Sequence, residues 1–506
     1  MKAKSFSTNR EQANAGTIKL LILAMIILSL TACRSSNSST MAATSSQPAT
    51  SAPAAIAGVQ TSYADVVSRV APAVVTIHSE MRARAPQQFP FADDPFFDQF
   101  FGGRGRTPQR QQPQRASALG SGVIVSQDGY ILTNHHVIDG AEKIKVDLND
   151  NRTLDAKVVG SDAPSDLAVL KVNATNLPVL QLGDSDRVRV GDVALAVGNP
   201  LGVGQTVTLG IISAKGRRTG LSDGSFEDFL QTDAPISQGN SGGALVNTNG
   251  EMVGINSQIL SRTGGSIGIG FAIPSNMARD VMDQLIKTGK VRRGQLGVGI
   301  QPVTQDIAAN LGLKDTRGVI VAQVTPGSPA ESAGIKQGDV ITSLNGAPVA
   351  DLNSFRNQVA RTPPGSTIQL TIMRNGSEQQ VRATLGEATA KNTGDEGDGG
   401  GNSGGNGSPQ STGKLGLSVQ PLTPEIAQQL GLRGVTQGLV VGDVDPNGSA
   451  ADAGIQQGDV ILQINQQPVR TGADIQSALN RSGARPALLL VNRHGVTVFI
   501  TVTPRR

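Results

Sequence analysis

The sequence predicts a mainly β protein of roughly three domains, and three observations carry that prediction. The chain has 506 residues, which at about 150 residues per domain is more than one core. Short runs rich in Val, Ile and Leu recur at residues 74–78, 122–125, 144–148, 167–172, 193–197 and 252–256, separated by Gly, Asp and Asn turns. That spacing is the signature of sandwiches and barrels. Finally, the C-terminal part repeats itself: GQLGVGIQPVTQDIAANLGL from Gly294 returns as GKLGLSVQPLTPEIAQQLGL from Gly413. Leu311 aligns with Leu430 at an offset of 119, and Gly334 with Gly454 at 120. Each copy is long enough to bury a small core of its own.

Taken from the start, the chain opens on an address. Lys2, Lys4, Arg10 and Lys19 precede the apolar run LLILAMIILSL at residues 20–30, which is short for a bilayer span and suits a signal peptide. Leu30-Thr31-Ala32-Cys33 follows, so residues 1–33 read as a signal peptide with a lipobox, and Cys33 as the lipidation site. The other reading is an ordinary signal peptide cut nearby, after Ala43 for instance, with Cys33 incidental. Residues 34–58, rich in Ser, Thr, Ala and Pro, form a flexible tether. Residues 59–288 form the N-terminal domain, with its main helix at 275–287, Ser275 as N-cap and Gly289 as stop. The repeats occupy 291–386 and 413–506. Between them lies a Gly-rich linker, 387–412, in which 8 of the 14 residues from 394 to 407 are Gly.

Composition removes several function classes. With one Cys, no CxxC pair or zinc knuckle is possible, and the four histidines, His78, His135, His136 and His494, form no HExxH pattern. No metal and no cofactor is expected. A net charge of +4, with 12 Phe, 2 Tyr and no Trp, leaves little for base stacking, so nucleic acid is not an expected partner. No Walker motif appears, and regulation must come from ligand binding and assembly.

Three stretches carry chemistry. Gly239-Asn240-Ser241-Gly242-Gly243 precedes the apolar Ala244-Leu245-Val246. A serine needs a base and a place for the negative charge of a tetrahedral intermediate, and glycines let the backbone turn its N–H groups toward that oxyanion. Thr133-Asn134-His135-His136-Val137 follows the apolar residues 130–132 and supplies an imidazole at a strand end. Ser165-Asp166 opens the apolar run 167–172 and supplies a carboxylate to hold that imidazole. GNSGG alone is weak: it recurs at residues 401–405, inside the linker, where Ser403 has no apolar strand after it. The order His, Asp, Ser within one β-rich domain is what raises the odds, and it matches the chymotrypsin-like solution.

These stretches resemble the signatures of the Deg/HtrA serine endoproteases (protease Do), as do Gln231-Thr232-Asp233-Ala234, Val197-Gly198-Asn199-Pro200 and the GIGFAIP run from Gly268. The resemblance covers residues from about 59 to the C-terminus. It implies a chymotrypsin-like double β-barrel followed by two PDZ domains, with His136 as base, Asp166 as orienting acid and Ser241 as nucleophile. The T-x-x-H-V pattern of the family selects His136. His135 falls on its variable position, where an extended chain would point it the other way. The backbone N–H groups of Gly239 and Ser241 would form the oxyanion hole. The PDZ loops Gln295-Leu296-Gly297-Val298 and Lys414-Leu415-Gly416-Leu417 would take peptide C-termini.

The resemblance further implies homotrimers and larger homo-oligomers in the periplasm, acting on unfolded envelope proteins; Cys33 would add a lipid anchor to the outer membrane. Residues 80–116 hold half of the phenylalanines in the chain, Phe89, Phe91, Phe96, Phe97, Phe100 and Phe101. They read either as a loop folded on its own barrel or as a regulatory loop reaching another subunit, and exposed apolar surface favours the second. Two functions stand against each other: an ATP-independent serine endopeptidase, and a chaperone or holding protein with minor peptidase activity.

Overall fold

The computed structural model describes residues 62–81, 116–199, 204–219, 226–237, 239–259, 267–388, 410–412, 415–432, 435–483 and 485–504. Cys33, most of the phenylalanine-rich loop, Lys414 and Ser403 lie outside them.

Two closed barrels of six strands form the N-terminal domain. The first contains β1 (Val74–Met81), β2 (Ala116–Ile124), β3 (Tyr130–Thr133), β4 (Ala141–Asp147), β5 (Thr153–Asp162) and β6 (Leu167–Val172), in the order β1-β2-β3-β6-β5-β4. The second contains β7 (Val193–Gly198), β8 (Thr206–Arg217), β9 (Phe229–Thr232), β10 (Ala244–Val246), β11 (Met252–Ile259) and β12 (Gly270–Pro274), in the order β10-β11-β12-β9-β8-β7.

The continuous apolar runs have a simple cause. Successive side chains of a strand point to opposite faces, and here both faces are buried. Ala168, Leu170 and Val172 fill the first barrel, while Leu167 and Val169 of the same strand face the seam between barrels. Ala194 and Ala196 fill the second barrel, and Leu195 and Val197 meet the seam. In β10, Leu245 points inward and Ala244 and Val246 point to the seam.

The helix Ser275–Thr288 closes this seam with Met277, Ala278, Val281 and Leu285. It ends as expected at Gly289, whose φ of 73° is left-handed and whose N–H bonds Leu285 O at 2.9 Å. Its start corrects the sequence reading. Pro274 holds the cap position, and Ser275 is the first helical residue; its buried hydroxyl donates to Gly183 O at 2.8 Å. A serine before an apolar periodic run resembles a cap, but the loop at Gly183 competes for its hydroxyl.

The first repeat contains β13 (Gly294–Gln295), β14 (Val298–Pro302), β15 (Val319–Val324), β16 (Val340–Leu344), β17 (Ala347–Pro348), β18 (Thr367–Arg374), β19 (Ser377–Thr384) and β20 (Gly386–Glu387). Its main sheet runs β14-β15-β16-β18-β19, and β13 pairs with β20. The second repeat contains β21 (Gln410–Thr412), β22 (Leu417–Pro421), β23 (Leu439–Val444), β24 (Val460–Ile464), β25 (Gln467–Pro468), β26 (Ala487–Arg493) and β27 (Val496–Val502), ordered β21-β22-β23-β24-β26-β27. The last three residues of the expected linker are therefore a strand, because β22 offers their backbone a ladder.

One ion pair recurs in both copies. Arg374 binds Asp339 at 2.7 Å and donates to Gly334 O at 2.7 Å; Arg493 does the same with Asp459 at 2.7 Å and Gly454 O at 2.7 Å. Both aspartates are 1% exposed and also accept a turn N–H, from Lys336 and Gln456.

The first repeat is seated on the barrels through polar contacts. Arg293 forms an ion pair with Asp162 at 2.9 Å and lies over the Phe226 ring; Asn353 and Asn357 donate to Glu227 O; Arg361 pairs with Asp280 at 3.1 Å. Beside them, burial pushes the Asp228 carboxyl up to about 6, helped by Asp186 and Asp351 and opposed by Arg361 and Lys215.

Two predictions follow from this packing. Removing Asp339 strands a guanidinium against a buried turn, so Asp339→Ala should cost the first repeat about 3 kcal/mol in urea unfolding, and Asp459→Ala the second repeat a similar amount. Asp228 holds its proton more tightly folded than at its ordinary value of 3.8. Its stabilising contribution is therefore full below about pH 4 and is lost as pH rises through about 6. Asp228→Asn should raise Tm by roughly 5 °C at pH 7.5 and leave it unchanged at pH 4.

Candidate active site

The residues singled out in the sequence converge where the barrels meet. From the first barrel, β3 ends at Thr133 and the chain enters the short helix His135–Ile138. Thr133 Oγ1 donates to Ser121 O at 2.7 Å, and the buried Asn134 donates to Asp166 O at 3.0 Å. Both bonds fix the turn that carries His136. The two adjacent histidines thus sit on a helical turn, about 100° apart, and not on the extended chain that the sequence suggested. His135 Nε2 faces Asp139, its partner one turn on, at 3.8 Å.

Asp166 is presented by a single 3-10 turn, Ala163–Ser165, capped by the Asp162 carboxylate, which accepts Ser165 N at 3.1 Å. Its own φ of 53° is left-handed, a conformation few non-glycine residues adopt outside constrained sites. The turn aims the carboxylate at His136: Nδ1 lies 2.9 Å from both Asp166 oxygens, and the His136 backbone N–H donates to Oδ1 at 3.1 Å. Ser257 Oγ donates to Oδ2 at 2.9 Å. Burial pushes this carboxyl up, but the His136 charge and the bonds from His136 and Ser257 more than offset it, and it is held below the usual carboxylate range. It therefore stays ionised at neutral pH.

The second barrel supplies the Ser241 loop. Ser241 is buried, and its hydroxyl donates to Ser257 O at 2.9 Å. The loop is pinned from both barrels: Ser121 N donates to Ser241 O at 2.8 Å, Ser121 Oγ donates to Gly239 O at 2.5 Å, and Gly242 N donates to Asn256 O at 2.8 Å. Gly242 has φ +82°, and a Cβ there would stand 2.1 Å from Ser121 O, so only glycine fits. Gly239 has φ +97°. Among the described residues, neither the Gly239 nor the Ser241 N–H donates to a hydrogen bond.

Sequence reasoning missed two members of this array. Ser121 stitches the Ser241 loop to the first barrel, and Ser257 touches both Ser241 and Asp166. Each lies within a strand, and no motif singled it out. In the repeats, Leu296 and Leu415 are buried, and Gly297 and Gly416 have φ of +79° and +70°. Leu296 O and Leu415 O accept N–H groups of Ala330 and Ala450, so both loops share one shape ahead of Val298 and Leu417.

Because Ser257 donates one hydrogen bond to an ionised carboxylate, its loss should be felt in turnover. Ser257→Ala should lower kcat on casein about tenfold with little change in KM, in a protein whose circular dichroism is unaltered.

Comparison with known proteins agrees with this geometry. Residues 120–255 match the trypsin-like peptidase domain, and residues 294–385 and 440–493 each match the PDZ domain. A probable periplasmic serine endoprotease DegP-like of Chlamydia trachomatis is 42% identical over 82% of this chain and 80% of its own length. Its namesake in Brucella suis is 41% identical over 88% of this chain and 90% of its own. Among solved structures, the HtrA-type protease AlgW with a decapeptide is 47% identical with a TM-score of 0.52, covering 65% of this chain and 99% of that one. The same protease with a tripeptide is 45% identical with a TM-score of 0.53, covering 65% and 98%. A double barrel of the chymotrypsin type carrying two PDZ domains, related at this level along most of its length, places the chain in the HtrA family of DegP-like serine endoproteases.

Proposed function

We propose that this protease is an ATP-independent endopeptidase that degrades unfolded or misfolded envelope proteins, with Ser241 as nucleophile, His136 as base and Asp166 as orienting acid. The observation that carries the assignment is the two-oxygen contact of Asp166 with His136 Nδ1 beside the Ser241 loop. A ring whose Nδ1–H is given to an ionised carboxylate presents Nε2 as the proton acceptor.

A hydroxyl has one proton, and in this state Ser241 gives it to Ser257 O. Catalysis then begins with rotation of Ser241 toward His136 Nε2. Oγ attacks the scissile carbonyl as the proton passes to His136, and the Gly239 and Ser241 N–H groups receive the oxyanion. Collapse returns the proton to the leaving amine, and water then attacks the acyl-enzyme by the same route, freeing the carboxylic acid product and restoring the Ser241 hydroxyl. The parked hydroxyl supports an enzyme that is restrained at rest.

The PDZ loops are proposed to catch C-terminal carboxylates on backbone N–H groups while the peptide adds a strand. Relatives named as periplasmic support a periplasmic location, and Cys33 supports a lipid anchor in the outer membrane. Assembly into trimers and larger oligomers belongs to the same reading.

Digestion of unfolded casein tests the catalytic assignment. Ser241→Ala and His136→Ala should each lose at least about three orders of magnitude in turnover and stay folded. Ser241→Ala should also lose fluorophosphonate labelling, while His135→Ala and Ser403→Ala keep most activity. A folded, inactive His135→Ala with an active His136→Ala would reverse the histidine assignment; casein cleavage retained by Ser241→Ala would leave the holding protein as the better account.

A further inference from the structure

The two PDZ copies differ at one sheet edge. In the first, β14 is the outermost strand of its sheet; in the second, β22 has β21 beyond it. β21 runs antiparallel to β22, with Gln410 opposite Val419, Ser411 opposite Ser418 and Thr412 opposite Leu417. It also lies against the helix Gly472–Ser482, the counterpart of Leu352–Arg361 in the first copy. A peptide that adds a strand to β22 needs this same edge.

The direction of β21 is that of a ligand. A peptide antiparallel to β22 ends beside the loop that precedes Leu417, and Thr412 stands there. Where a ligand would present its carboxylate, the chain continues into Gly413. We infer that the second PDZ groove is filled in cis by Gln410–Thr412, so that each chain offers one groove, that of the first PDZ domain, to free C-termini. This rests on the reading of both loops as carboxylate sites.

The divergence has a local cause. At the repeat offset of 119, Ser411 and Thr412 correspond to Arg292 and Arg293. In the first copy, Arg292 pairs with Glu387 of β20 at 2.7 Å, and Arg293 pairs with Asp162 of the barrels, the two being only 12% and 7% exposed. These charges draw the segment away from the β14 edge. The second copy has no charge at either position, and threonine favours strands. Only residues 413–416 separate β21 from β22, so the pairing is intramolecular, with an effective concentration in the millimolar range or above. A micromolar peptide does not displace it.

Binding stoichiometry tests this in the full chain carrying Ser241→Ala, titrated with a labelled decapeptide that ends in Val-Val with a free carboxylate. One peptide per chain is expected, and two after Ser411→Pro, because proline removes an N–H and cannot hold the middle of a three-residue strand. Adding Gly297→Val, which would put a Cβ 2.3 Å from that of Ser328 at φ +79°, should lower each count by one. Two peptides per chain before Ser411→Pro, or one both before and after it, overturns the inference. None before and one after would sink peptide capture by the first PDZ domain while upholding occupancy of the second. Hydrogen exchange reports the segment directly. Slow amides at 410–412 that become fast in Ser411→Pro support cis occupancy, and fast amides in the parent overturn it.

Discussion

Everything in the catalytic domain depends on the apolar seam between the two barrels. His136 and Asp166 hang from the first barrel, and Ser241 and Ser257 from the second. Neither barrel alone holds a complete site. Val74, Leu132, Leu167 and Val169 on one side meet Leu195, Val197, Ala244 and Ile255 on the other, and burial of that surface sets the separation across which the polar groups must reach. Because close-packed interiors deform little, hydrogen bonds of 2.9 Å can be held between residues 91 positions apart, as between Ser257 and Asp166.

On that seam, the polar contacts are arranged so that each side restrains the other. Ser121 grips the Ser241 loop from the first barrel, and Ser257 reaches Asp166 from the second. The left-handed backbone of Asp166 stores strain that the surrounding packing holds in place, whereas Gly242 takes its positive φ without strain because it has no Cβ. The Ser241 hydroxyl in turn donates to Ser257 O, so one residue of the second barrel touches both Ser241 and Asp166.

The PDZ repeats share one module and differ at its margins. Their interiors keep the same buried Asp–Arg pair and the same loop geometry. Their N-terminal segments differ, with Ser411 and Thr412 where the first copy has Arg292 and Arg293, and the chain turns toward the barrels in one case and onto its own sheet in the other.

Local sequence carries the mainly β class, the repeat, the apolar strand runs and the candidate residues His136, Asp166 and Ser241. All of these are properties of a few consecutive residues: an apolar period, a glycine-rich turn, an Asp at the start of a run. It also separates the Ser241 motif from its copy at residues 401–405, because only the first runs directly into an apolar stretch, Ala244-Leu245-Val246. Tertiary structure alone decided the rest. Ser275 caps nothing since Gly183 takes its hydroxyl, His135 turns to Asp139 because the chain there is helical, and Ser121 and Ser257 join the site from strands with no motif. Thr412 pairs with Leu417 because the edge of β22 lies within reach of it. For Ser275, Ser121 and Ser257 the physical reason is the same. A hydrogen bond between distant segments is fixed by where burial of apolar surface brings those segments, and no short stretch of residues encodes that position.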